Sequence, residues 1–140
     1  MMPVSVSPSD TAPSRTPAGR VLVVDDDRAI RELFRRVLLF EGFDVVVAPG
    51  GAEGLRVLGI DPAIALVLLD LDMPGIDGRG FRRAQSSDPR LAGIPTVVVT
   101  AVLTDANRAE LNATAYLNKP VPRARFIQIV ERYCGRMADA

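Results

Sequence analysis

The sequence contains no histidine, no tryptophan and only one cysteine among its 140 residues. The absence of histidine removes the commonest general base and metal ligand, and it excludes a phosphohistidine carrier. Cys134 cannot form an internal disulfide, which favours a reducing cytoplasm as the compartment. No apolar run approaches the ~20 residues of a membrane span, and the N-terminus lacks a signal-peptide core. A histidine-dependent catalyst, a disulfide scaffold and a membrane-spanning protein are therefore not expected.

An excess of charge of either sign is also absent. Lysine and arginine together number 17, as do aspartate and glutamate, so the formal net charge is zero. No overall field attracts this chain to nucleic acid or to an anionic membrane, and we expect it to bind neither directly. The apolar fraction of 48% and the charged fraction of 24% are typical of one globular domain at this length.

Residues 1–19 differ in composition from the rest of the chain. Four prolines alternate there with six serines and threonines, and few apolar side chains accompany them. Such a segment cannot offset the entropy lost on ordering. The sequence therefore predicts a disordered Pro/Ser-rich tail over residues 1–19 and a folded domain over residues 20–137.

Apolar runs alternate with helical patterns through the folded region. The run at 65–69 ends at Asp70, and Pro74, Gly75 and Gly78 then force a turn. An uninterrupted apolar run is typical of a strand buried on both faces. Five strands are predicted in alternation with five helices, which indicates an α/β fold with a parallel sheet and helices on both faces. The predicted strands are residues 20–24, 44–48, 65–70, 96–100 and 115–118.

The helical segments have their own patterns. The first predicted helix carries an apolar stripe that we expect to face the core, namely Ile30, Leu33, Phe34, Val37 and Leu38. Gly42 ends this helix. The arginines at positions 79, 82 and 83 are most simply interpreted as the solvated face of the third helix.

Polar residues follow four of the predicted strands. Asp25 and Asp26 follow the first, Asp70 ends the third, Thr100 ends the fourth and Lys119 follows the fifth. All carboxyl ends of a parallel sheet lie along one edge, so the topology brings these residues together. Crowded carboxylates repel one another unless a cation joins them, and Mg²⁺ prefers such oxygen ligands. A carboxylate facing Mg²⁺ can act as a nucleophile toward a phosphoryl group, which Lys119 and Thr100 could stabilise.

Each of these elements also has a purely structural explanation when taken alone. The acidic run 25–27 could cap the next helix, and residues 70–77 could form only a turn. Thr100 could be an ordinary strand residue, Lys119 a solvated lysine and Tyr116 a core aromatic. Their joint placement at four strand ends favours a functional site.

Five motifs occur in a characteristic order along the chain. They are Asp25-Asp26, Asp70 with its following loop Met73-Pro74-Gly75-Ile76-Asp77-Gly78, Thr100-Ala101, Tyr116 and Lys119-Pro120. With this ordered set the chain resembles the response-regulator receiver domain of two-component signalling, in its single-domain, chemotaxis-regulator-like form. The resemblance runs from about Arg20 to Met137 and implies a flavodoxin-like sheet of order 2-1-3-4-5.

The resemblance implies a function and a set of site residues. Asp70 would accept a phosphoryl group from a sensor histidine kinase or a phosphotransfer protein. Asp25, Asp26, Asp70 and the backbone carbonyl of Asp72 would hold Mg²⁺. The Lys119-Pro120 bond would be cis.

The resemblance also implies an output. Thr100 and Tyr116 would shift on phosphorylation and alter the face formed by the fourth helix, fifth strand and fifth helix. The signal would pass through protein contacts to an unidentified target, since these residues contain no output domain and the chain would not be an enzyme.

Two departures from the family pattern stand out. The segment from Thr100 to Lys119 is about one helical turn shorter than usual, and it lacks the Gly-Ala pair that precedes the aromatic. We therefore expect a truncated fourth helix. The family tunes phosphoryl lifetime at the positions of Asp72 and Val102, which here are a carboxylate and an apolar residue.

Two alternative functions remain open from the residues alone. A pseudo-receiver would keep the fold and bind partners without phosphorylation, and the short fourth helix favours it. Asp70-Leu71-Asp72 also resembles the nucleophile motif of haloacid-dehalogenase-type phosphatases, although the acidic pair on an earlier strand and the lack of a substrate-covering cap argue against that enzyme.

Overall fold

The computed structural model describes residues 19–137. The predicted disordered tail over residues 1–19 therefore lies, except for Gly19, outside the described residues. Among the described residues, no helix combines the length and the apolar character needed to cross a membrane.

One parallel sheet of five strands forms the centre of the fold. Its order is β2-β1-β3-β4-β5, and every neighbouring pair is parallel. This is the predicted 2-1-3-4-5 order of a flavodoxin-like sheet. The strands are β1 (Arg20–Val24), β2 (Asp44–Ala48), β3 (Ile64–Asp70), β4 (Thr96–Thr100) and β5 (Ala115–Asn118).

Four helices connect successive strands and a fifth follows the last strand, and together they cover both faces of the sheet. They are α1 (Arg28–Phe40), α2 (Gly51–Ile60), α3 (Gly78–Ser87), α4 (Asp105–Leu111) and α5 (Arg123–Tyr133). The fourth has only 7 residues, which agrees with the predicted truncation. The Asp77 carboxylate accepts a hydrogen bond from the Gly80 N–H and so caps α3 at its N-terminus.

Side chains of the inner strands point alternately to two apolar cores. Leu66 and Leu68 of β3 face the core under α1 and α5, whereas Val67 and Leu69 face the core under α2, α3 and α4. All four are buried. Because β3 is covered on both faces, it reads in the sequence as a continuous apolar run, as parallel strands do.

The predicted core-facing stripe of α1 is only partly confirmed. Leu38 is fully buried, and Phe34 stacks on Phe126 of α5 with ring centroids 4.7 Å apart. Leu33 was assigned to the core wrongly, since its side chain is 54% exposed. It lines the groove between α1 and the start of α5.

Helix α1 ends just before Gly42, as the sequence predicted. Gly42 adopts a left-handed φ of 89°, which glycine tolerates without steric cost. The Phe43 N–H donates to the Leu38 carbonyl at 2.9 Å, so the chain leaves the helix directly into the core.

A buried glutamine joins α3 to the start of β4. Gln85 is fully buried, and its amide nitrogen donates to the carbonyls of Leu91 (3.2 Å) and Ile94 (3.0 Å). Its amide oxygen accepts hydrogen bonds from the Thr96 hydroxyl at 3.1 Å and from Arg82 at 2.6 Å. Every polar atom of this side chain is thus paired inside the fold, as burial demands.

Replacing Gln85 by methionine, which has a similar shape, should lower the free energy of unfolding by ~2 kcal/mol, because it deletes these hydrogen bonds and leaves partners under-satisfied. Urea titration followed by circular dichroism measures the change. The exposed neighbour Ser86 provides the control, since Ser86→Ala should leave stability within ~0.5 kcal/mol. Equal stability of the Gln85→Met variant and the parent would contradict a stabilising network.

Two glycines of α2 should respond to alanine with opposite signs. A Cβ on Gly54 would lie 2.9 Å from a Val24 methyl and 3.1 Å from the Phe81 ring, whereas a Cβ on the exposed Gly59 meets nothing within 4 Å. Gly54→Ala should cost ~1–3 kcal/mol through overpacking, and Gly59→Ala should gain ~0.5 kcal/mol from helix propensity. Urea unfolding of both variants checks this pair, and a shift of the same sign in both would disprove the packing of α2 against β1.

Candidate functional site

The four polar strand ends meet at the carboxyl edge of the sheet, as predicted. Asp70 and Thr100 are the last residues of β3 and β4, and Asp25 directly follows β1. Lys119 directly follows β5, where its N–H continues the sheet by donating to the Thr100 carbonyl at 2.8 Å. Strand order alone therefore assembles residues that lie far apart in the sequence.

Three carboxylates form the acidic part of the site. One oxygen from each of Asp25, Asp26 and Asp70 lies within 4.8 Å of the others. Asp25 and Asp70 are buried, whereas Asp26 is exposed and closes the cluster from the solvent side. The predicted set of metal-binding carboxylates is thus brought together at one point.

The backbone around Asp25 separates the site from the helix cap. The Asp27 carboxylate accepts hydrogen bonds from the N–H groups of Ala29 (2.9 Å) and Ile30 (3.2 Å), and so caps α1. The Asp27 N–H donates in turn to the Asp25 carboxylate at 2.9 Å. Capping therefore falls to Asp27 alone, which leaves Asp25 and Asp26 directed to the cluster.

Lys119 supplies the positive charge within the cluster. Its Nζ lies 3.1 Å from Asp70 Oδ1 and 3.4 Å from Asp25 Oδ2. Burial by itself would lower the pKa of Lys119, but the two carboxylates outweigh burial and the pKa is raised. The ammonium is therefore charged at neutral pH and joins two carboxylates that would otherwise repel each other.

The carboxyl group of Asp70 has a raised pKa. Burial and then the neighbouring Asp25 charge raise its pKa, Lys119 opposes them, and the result is about 6. Lys119 therefore does not cancel the combined effect of burial and the neighbouring carboxylates on Asp70. An all-oxygen set with excess negative charge is the donor set that Mg²⁺ prefers, so the residues fit this ion.

The loop after Asp70 packs closely against the first residue of α3. A Cβ on Gly78 would lie 2.9 Å from the Asp70 carbonyl oxygen and 2.8 Å from the Leu71 Cα, so only glycine fits there without displacement. The Gly78 N–H donates to the Leu71 carbonyl at 2.9 Å. The Asp72 side chain is 76% exposed and points out of the cluster, which is compatible with the predicted use of its backbone carbonyl alone.

The two predicted switch residues lie on the neighbouring strands. The buried Thr100 hydroxyl donates to the Val102 carbonyl at 3.4 Å and accepts from the Val102 N–H at 3.3 Å. The Tyr116 hydroxyl accepts from the Ala113 N–H at 2.7 Å and donates to the Arg108 carbonyl at 2.9 Å. In this structure both hydroxyls thus bind local backbone next to α4.

Two further features concern residues near this edge. The Lys119-Pro120 peptide bond is cis, as the family resemblance implied. The prediction of a solvated α3 face is wrong for Arg79 and Arg82, which reach across to α4. No sequence signal marks them, because the spacing of charges on α3 does not reveal which helix packs beside it.

Comparison with known proteins gives the family. The model of the response regulator receiver domain matches residues 21–131. The response regulator MprA of Mycobacterium ulcerans is 45% identical over 105 residues, which cover 72% of this chain and 44% of MprA. The chain therefore spans less than half the length of the curated relatives it matches.

Solved structures show the same fold. A response regulator receiver protein from Pseudomonas putida matches with a TM-score of 0.76 and 28% identity, covering 81% of this chain and 96% of that protein. The phosphorylated cyanobacterial phytochrome response regulator RcpA matches with a TM-score of 0.68 and 26% identity, covering 81% and 89% of the two chains. The chain belongs to the response regulator receiver domain family of two-component systems.

Proposed function

We propose that Asp70 accepts a phosphoryl group from the histidine of a sensor kinase or of a phosphotransfer protein. The observation that carries this proposal is the Lys119 ammonium, 3.1 Å from the Asp70 carboxylate within a cluster of three carboxylates at the sheet edge. The phosphorylated state of RcpA, which shares the fold and 26% of the sequence, supports it.

The chemistry needs one nucleophile and compensation of charge. An Asp70 oxygen forms a bond to phosphorus while the bond from phosphorus to the histidine nitrogen breaks, and that nitrogen keeps the electron pair. With a pKa of about 6, Asp70 is mostly ionised at neutral pH and is available as the nucleophile. Lys119 then pairs with the phosphoryl oxygens, as preorganised cations do in phosphoryl transfer.

Mg²⁺ completes the proposed site. Its ligands would be the carboxylates of Asp25, Asp26 and Asp70 and the backbone carbonyl of Asp72. When bound, the ion neutralises charge on the transferring phosphoryl group. The buried pair Asp25 and Asp70, fixed by Lys119 and by the Asp27 N–H, keeps these oxygens together beforehand.

The change in the surface that a target protein would contact begins with the hydroxyls of Thr100 and Tyr116. The Thr100 hydroxyl would exchange its Val102 partners for a phosphoryl oxygen, and Tyr116 would then move inward from its contacts with Arg108 and Ala113. This would alter the face of α4, β5 and α5 and its contacts with a target protein. We assign this role to a receiver domain at residues 20–137 that acts in the cytoplasm as a signalling module and not as an enzyme.

One observation favours a second candidate, a scaffold that binds partners without phosphorylation. Helix α4 has only 7 residues, so the face of α4, β5 and α5 differs from one built with a longer fourth helix. This holds although all the predicted residues of the phosphorylation site are present. A measurement of phosphorylation on Asp70 distinguishes the phosphorylated receiver from the scaffold.

Incubation with Mg²⁺ and acetyl phosphate should add one phosphoryl group to the protein, detectable as an increase in intact mass. Asp70→Asn should abolish the increase, because it removes the nucleophile, and a chelator should abolish it in the parent. Asp88→Asn, which removes a carboxylate paired with Arg90 away from the cluster, should leave it intact. No mass increase at any time, together with no binding of beryllofluoride, would refute the phosphorylation and leave the scaffold.

Lys119→Gln should slow the phosphorylation of Asp70 by roughly 10–100-fold, since the site loses its fixed positive charge beside the transferring group. Time courses of intact mass measure the rate, and circular dichroism checks that the variant is folded. Arg125→Gln removes one exposed positive charge from α5 and should leave the rate unchanged. An equal rate in the Lys119 variant would exclude the proposed role of this residue.

A further inference from the structure

Helix α4 is held by side chains of α3. With 7 residues it is too short to be stable through its own backbone hydrogen bonds. Arg79 donates to the Glu110 carboxylate at 2.9 Å and to the Asn107 side-chain oxygen at 2.7 Å. Arg82 donates to the carbonyls of Leu111 (3.0 Å) and Asn112 (2.7 Å) at the end of the helix.

The two arginines differ in what else they touch. Arg82 binds Gln85 of its own helix and the end of α4, where a cation complements the helix dipole. Arg79 also faces the loop at residues 71–77 that follows Asp70, called the acceptor loop below. Its Nη1 lies 3.7 Å from the Asp77 carboxylate and 4.0 Å from that of Asp72. Arg79 is therefore shared between two groups of acceptors on different elements.

Sharing makes the two sets of contacts depend on each other. A guanidinium has five N–H donors in a rigid plane, so a shift toward the acceptor loop weakens its hold on Glu110, and the reverse. Asp72 lies two residues after Asp70, and its side chain is mostly exposed. On its other side, Arg79 contacts α4. The last turn of α4 accepts a hydrogen bond from the Tyr116 hydroxyl through the Arg108 carbonyl.

We propose that Arg79 is a positioning residue that couples the acceptor loop at Asp72 to α4 through its contacts with Glu110 and Asn107. The inference deepens the proposed function and, for its link to phosphorylation, rests on it. Coupling between the two elements is reciprocal, so a change in the loop alters the stability of α4 and a change in α4 alters the loop.

Amide hydrogen exchange of residues 105–111 in the full 140-residue chain tests the coupling without any phosphodonor. Asp72→Asn removes a competing carboxylate, so Arg79 binds Glu110 more fully and α4 exchanges more slowly, by about twofold or more. In an Arg79→Gln background α4 exchanges faster, by roughly threefold, and Asp72→Asn has no further effect. Arg83→Gln removes an exposed charge from the same helix and leaves exchange at the parent level.

A charge exchange separates coupling from simple support of α4. The pair R79E/E110R restores an ion pair between α3 and α4, and so restores slow exchange. The carboxylate introduced at position 79 is now repelled by Asp72 and pushed toward α4, so Asp72→Asn speeds exchange in this background. A reversed sign supports the coupling, whereas the same effect, or no effect, of Asp72→Asn in all three backgrounds overturns it.

The phosphorylated protein completes the experiment. After treatment with Mg²⁺ and acetyl phosphate, exchange in α4 of the parent should change by about twofold or more, and in Arg79→Gln by less than half as much. An equal response in both overturns the link to phosphorylation. If the parent takes up no phosphoryl group, the proposed function fails, and the exchange data on the untreated variants still decide the coupling of loop and helix.

Discussion

Electrostatic repulsion among three carboxylates at one edge of the sheet is the constraint on which the site depends. The strand order forces Asp25 and Asp70 together, and Lys119 is the cation that lies between them. The formal charges of three carboxylates and one ammonium, −3 and +1, sum to −2. A divalent cation of the kind that oxygen ligands select would match this charge. The raised pKa of Asp70 comes first from burial and then from the Asp25 charge.

The rest of the fold keeps that repulsion from being relieved by movement. The strands that carry Asp25, Asp70 and Thr100 are buried on both faces, and the two apolar cores fix their register. At the strand ends, short backbone contacts fix the direction of the side chains, as the Asp27 N–H does for Asp25 and the tight packing of Gly78 does for the loop after Asp70. The apolar cores thus offset the electrostatic cost of a preorganised acidic site.

The sequence was sufficient for the strands and for the members of the acidic cluster because both depend on simple patterns. Buried parallel strands are continuous apolar runs, and β3 ends in the sequence where Asp70 interrupts its run. Leu33 and Arg79 could not be predicted in this way, because their surroundings are set by another helix and not by their own spacing. A stripe of apolar residues shows that a helix packs against another element, but the width of that contact depends on where α5 begins.

The same limit explains why α4 is the element least determined by its own residues. Its shortness was visible in the sequence, but the groups that hold it come from α3 on one side and from Tyr116 on the other. A helix whose stability depends on neighbouring side chains takes its position from those neighbours, so any shift in them changes its free energy directly. One of those neighbours, Arg79, also faces the loop that follows Asp70. The position of the short α4 therefore depends more on that loop than the position of a longer, self-supporting helix would.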